Sequence, residues 1–78
     1  MIYQDRIRAL REDADKSQSD IAEMLGTSQT MYSRYERGAS ELPLRHLIQL
    51  CQYYNVTADY ILGFVSKPRP LKNNSTKK

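Results

Sequence analysis

Gln29, Thr30, Ser33, Arg34 and Arg37 are polar residues within one short stretch of the chain. A helix advances about 100° per residue, which puts all five on one arc of about 140° with Met31, Tyr32 and Tyr35 on the opposite side. The arc holds no acid and no lysine. Its groups suit the hydrogen-bonding edges of nucleobases. A glutamine carboxamide pairs with adenine, an arginine fork with guanine, and a threonine with a base atom or a thymine methyl. From residue types alone, a plain solvated helix face remains the alternative.

Other chemistries have less to build on. The chain holds one cysteine and one histidine, Cys51 and His46, so it offers no zinc ligand set, no Cys-His or Ser-His-Asp arrangement and no internal disulfide. It has no glycine-rich phosphate loop. Glu12, Asp13 and Asp15 cluster at the end of a helical stretch and read as a solvated run. No catalytic residue, metal or cofactor is expected. Cys51, among Leu47, Ile48, Leu50 and Tyr54, reads as a small core residue. His46 and Arg45 are expected on the outer side of their helix.

The basic pI of about 9.2 is misleading about the folded part. All nine acids precede residue 66, against seven basic residues there, so residues 1–66 carry about −2. Five more basic residues follow, in KPRPLKNNSTKK. Two prolines, polar residues and a single leucine cannot bury enough surface to order that segment, so residues 67–78 are expected to form a flexible basic tail. Attraction to a polyanion must then depend on where charges sit rather than on their sum. No run approaches the roughly 18 apolar residues of a membrane span, and MIYQDRIRALRED lacks a signal peptide's apolar stretch, so a cytoplasmic location is expected.

The arc needs elements to hold it, and all of them read as helices within one domain over residues 1–66. Tyr3, Ile7, Leu10 and Ala14 define one face of a first helix over about 3–14. Ser17 and Asp20 form a capping box for the second, which Gly26 stops. Thr27 and Ser28 are plausible caps for the third, and Gly38 ends it. The fourth starts near Pro43, is expected to bury Leu44, Leu47, Ile48, Cys51 and Tyr54, and ends at Asn55. The fifth is short, capped by Thr57, stapled by Val56 and Ile61, and stopped at Gly63. Gly26-Thr27-Ser28 makes a sharp turn that would hold the third helix at a fixed angle across the second.

The run QSDIAEMLGTSQTMYSRYERG, Gln18 to Gly38, resembles the helix-turn-helix of the lambda repressor/Cro family, also called the XRE family. The resemblance spans roughly residues 5–63, and LIQLCQYYNVTADYILG is similar to that family's last two helices. It implies an all-α, compact five-helix lambda-repressor-like domain with helices two and three as the helix-turn-helix. It places Gln29, Thr30, Ser33 and Arg34 at base-reading positions. Gln18, Ser28, Arg37 and Arg11 fall where phosphate contacts are made, and Arg11 and Glu36 match a structural ion pair. Thr27, Tyr32 and Tyr35 depart from the small or aliphatic residues usual in the family, and the loop 39–42 lacks its usual basic residues.

The resemblance further implies a sequence-specific regulator of double-stranded DNA. The expected form is a repressor bound to a near-palindromic operator as a homodimer, joined through the fifth helix with Phe64 and Val65. The alternative is an antitoxin or bridging module of the same fold, with a protein partner.

Overall fold

The computed structural model describes residues 2–71. Five helices follow in order: α1 (Ile2–Asp13), α2 (Gln18–Leu25), α3 (Gln29–Arg37), α4 (Leu44–Tyr54) and α5 (Ala58–Leu62). No strand occurs among the described residues.

Local chemistry sets the boundaries. Ser17 Oγ accepts from the Asp20 amide at 3.0 Å, and the Asp20 carboxylate accepts from the Ser17 amide at 2.9 Å, closing the capping box. Those bonds, led by the Ser17 amide, hold the Asp20 carboxyl below the usual range. Ser28 and Thr57 cap α3 and α5 in the same way, accepting from the Met31 and Tyr60 amides. Gly26, Gly38, Asn55 and Gly63 end their helices in the left-handed conformation that leaves carbonyls free to be bonded by the following amides. At Gly63 a second constraint applies: an added Cβ would collide with the Ile2 side chain.

The core gathers Ile7 of α1, Ile21, Ala22 and Leu25 of α2, Tyr32 and Tyr35 of α3, Leu47, Leu50 and Cys51 of α4, and Val56 and Ile61 around α5. Tyr32 is fully buried. Its ring meets Tyr35 edge-on at 6.3 Å, which fixes one side of α3 against the domain.

The fourth helix departs from expectation. Leu44 is 71% exposed and Ile48 50%, whereas His46 is only 3% exposed. The His46 ring lies 5.8 Å from Tyr35, and its Nδ1 is 3.1 Å from Gln49 Oε1. Tyr35 presents a large aromatic surface, and the imidazole covers it. The helix therefore buries the arc of His46, Leu47, Leu50 and Cys51 and leaves Leu44 and Ile48 at its outer edge. Cys51 is buried as expected, and burial pushes its thiol pKa up.

Arg6 joins the two ends of the domain. Its guanidinium donates to the carbonyls of Tyr60 and Val65 and lies 4.3 Å above the Tyr60 ring centroid. Part of the stretch expected as a tail is described too. The Thr57 amide donates to the Arg69 carbonyl at 3.1 Å, and the Leu71 amide donates to Asn55 Oδ1 at 3.1 Å. Leu71 thereby lies beside Leu44 and Ile48 in an apolar groove. Residues 72–78 lie outside the described residues.

Candidate nucleic-acid interface

With Tyr32 and Tyr35 anchored, the polar arc of α3 faces outward. Gln29, Thr30, Ser33 and Arg37 line one open polar concavity of about 310 Å³, together with Gln18 from the start of α2. Two helices thus bring five of the residues singled out in the sequence to one surface. Arg37 Nε donates to Ser33 Oγ at 3.3 Å, one turn back along the helix. Ser28, exposed at the head of α3, is engaged as its cap.

Arg34 stands apart from this concavity. Its Nε donates to Ser40 Oγ at 3.0 Å and its Nη2 to the Ala39 carbonyl at 3.3 Å, turning the guanidinium toward the loop after α3. These bonds are solvent-exposed and weak enough to exchange for a ligand.

Arg11 belongs to the interior side of the site. Its Nε lies 2.7 Å from Glu36 Oε2, its Nη2 donates to Glu36 Oε1 at 3.2 Å, and its Nη1 donates to the Lys16 carbonyl at 2.9 Å. All three nitrogens are engaged and the side chain is largely covered. A structural role therefore accounts for Arg11, and little of its guanidinium faces outward. The Glu36 carboxylate also accepts from Gln18 Nε2 at 3.0 Å. The Tyr32 hydroxyl faces the same carboxylate outside ordinary hydrogen-bond geometry.

Burial alone would raise the Glu36 pKa; the bonds from Arg11 and Gln18, with the neighbouring Tyr32 hydroxyl, outweigh it and hold the carboxyl below its usual range. The hydrogen bond to Glu36 correspondingly raises the Arg11 pKa, and burial followed by Glu36 pushes the Tyr32 phenol well above its ordinary value. Glu36 is thus an ionised hub linking α1, α2 and α3, and it ties Gln18 to α3.

Sequence reasoning missed Ser19 and Arg6. Ser19 Oγ donates to Gln29 Oε1 at 3.0 Å across the α2–α3 turn. Ser19 lies on no apolar stripe and is not the cap, so no one-helix pattern marks it. Among the described residues, no group of three or more His, Cys, Asp or Glu is placed to hold a metal ion, and no helix is long and apolar enough to cross a membrane.

The chain is similar in sequence and fold to known proteins. The helix-turn-helix family profile matches residues 7–61. The chain is 35% identical over 69 residues to the uncharacterised HTH-type transcriptional regulator YobD of Bacillus subtilis, covering 88% of this chain and 62% of that one. It is 35% identical over 57 residues to the antitoxin PezA of Streptococcus pneumoniae, covering 73% of this chain and 36% of PezA. It therefore spans less than two thirds of either relative. Among solved structures, the P22 c2 repressor in complex with a synthetic operator superposes with a TM-score of 0.71 at 28% identity, covering 78% of this chain and 92% of the repressor chain. Helix order, turn and sequence agree, and the chain belongs to the XRE-type helix-turn-helix family of lambda repressor/Cro-like proteins.

Proposed function

We propose that this chain is a sequence-specific regulator of double-stranded DNA that represses by occupying a near-palindromic operator as a homodimer. One observation carries the reading: α3 is fixed by two buried tyrosines on one side and presents an acid-free polar arc on the other. Gln29, Thr30, Ser33 and Arg34 are the proposed base readers, with Arg34 leaving the 39–40 loop to do so. Gln18, Ser28 and Arg37 are the proposed phosphate contacts, and the head of α2 adds amides oriented for an anion. The likeness to an operator-bound repressor supports the same docking.

One helix reads few base pairs, so useful specificity calls for two chains. Two copies on one DNA face set half-sites about 10–10.5 base pairs apart, centre to centre. Phe64 is 76% exposed beside the Arg6-held segment and is the proposed centre of the dimer contact. The proposed organisation is a DNA-binding domain over residues 1–66 with a basic tail, 67–78, adding phosphate attraction.

Selection from a randomised duplex pool tests this directly. The expected result is an inverted repeat with that spacing, lost in the double variant Gln29→Ala, Arg34→Ala. A pool returned without enrichment would overturn the reading.

The likeness to PezA favours a second role compatible with the first, in which a protein partner docks on the domain. A stable 1:1 complex with a neighbouring gene's product would establish it.

A further inference from the structure

We propose that the groove between α4 and the segment after α5 is a docking site for an acidic amphipathic helix of a partner protein. The groove is open and holds about 450 Å³. Leu47 and Cys51 are its buried lining, and the exposed Leu44, Ile48 and Leu71 are its rim. One side is the helix α4 itself. The other is pinned by two bonds, from the Thr57 amide to the Arg69 carbonyl and from the Leu71 amide to Asn55 Oδ1. A ligand therefore meets a groove already in place and is spared the cost of ordering it.

Charge selects the occupant. From Leu44 to Leu71 the chain carries three bases, Arg45, Lys67 and Arg69, against one acid, Asp59. From Met1 to Pro43 it carries six bases against eight acids. The part of the domain that forms the groove is thus its basic part. Arg45 stands one turn before Ile48 on α4, and Arg69 two residues before Leu71, so a cation flanks the apolar strip on each side. Arg45, Lys67 and Arg69 are exposed, and among the described residues none makes a side-chain hydrogen bond or ion pair. Glutamates or aspartates beside a partner's apolar anchors would find their counter-charges there.

Other occupants fit less well. A second copy set here about a two-fold axis would bring the Arg45 and Arg69 edges together, cation against cation. Residues 72–78 hold three lysines and no apolar side chain, so they match neither the surface nor its charge. An extended peptide has no sheet edge to join among the described residues. The strip instead follows α4 through Leu44, Ile48 and Cys51, the spacing at which a facing helix lays its own anchors.

The experiment uses the full chain, without DNA, and two designed amphipathic helices that share one leucine face. One carries glutamate at the flanking sites and the other lysine. Titration calorimetry should show the glutamate helix binding one to one, roughly five-fold tighter than the lysine helix at low salt, as two exposed ion pairs would give. Amide shifts in ¹⁵N spectra should gather on Ile48, Cys51, Ala58 and Leu71. Arg45→Glu combined with Arg69→Glu should reverse the preference. Ile48→Asp should weaken the glutamate helix by roughly ten-fold or more, and Leu44→Ser should weaken it less. Both side chains are half or more in solvent, so Tm should stay near that of wild type. No binding, no preference for the glutamate helix, or shifts centred on another face overturns the proposal. Self-association of the chain that Ile48→Asp abolishes also overturns it, by giving the groove to a second copy.

Discussion

Glu36 is covered, ionised and bonded from two helices, so its removal leaves the Arg11 guanidinium beneath the surface without its partner. Glu36→Ala should cost about 3 kcal/mol in urea unfolding, the size expected when one half of a buried pair is lost. The charge also sets an acid limit. Its pKa is lowered in the folded chain, so the stability it contributes is complete above about pH 4.3, the ordinary glutamate value, and drains away as pH falls through the lower folded value. Glu36→Gln should therefore flatten the stability–pH curve below about pH 4.3 while leaving its slope near neutrality unchanged. Urea melts across that range read both arms. The Arg11–Glu36 link was readable through family likeness. The Gln18–Glu36 and Ser19–Gln29 bonds were not, because each joins helices whose mutual angle no single periodicity encodes.

The helices themselves were largely written in the sequence, since their ends are made by local chemistry. A hydroxyl accepting an amide three residues on, or a residue able to turn left-handed, acts within one turn and leaves its mark there. Rotation about the helix axis is a different matter. Leu44, Leu47, Ile48 and Cys51 form a broad apolar face on α4, wider than the domain covers, and Tyr35 decides which half is used by drawing in His46. A composition-based stripe could not anticipate an imidazole taking a core position beside an exposed leucine. At the end of α5, Gly63 has φ of +90° and no room for a methyl against Ile2. Gly63→Ala should destabilise by about 2 kcal/mol, combining backbone strain with the collision. Adding Ile2→Ala should recover the collision part only, as a double-mutant thermal melt would reveal.

For the whole molecule, charge and assembly make separable predictions. Residues 1–66 are slightly acidic, so affinity for DNA should depend on a few placed cations and on the basic residues after Ser66. A chain ending at Ser66 should bind its operator with a shallower salt dependence, by about one unit of log–log slope for each phosphate contact removed. Fluorescence anisotropy across a salt series measures it. Phe64→Asp should leave the monomer's Tm near that of wild type, because the ring is mostly in solvent, while lowering the stoichiometry on an operator from two chains to one. Sedimentation of the complex distinguishes the two.

The Arg6 clamp has a kinetic consequence. Its bonds to Tyr60 and Val65 span 54 and 59 positions of chain, nearly the full length of the domain. Closing so long a loop costs more entropy than closing the three-residue α2–α3 turn, so these bonds are expected to form after the α2–α3 pair has assembled. An interaction made after the transition state slows escape from the native basin without hastening arrival. In a chevron plot, Arg6→Ala should lift the unfolding arm several-fold and leave the folding arm in place. The clamp would then set how long the folded chain persists between openings.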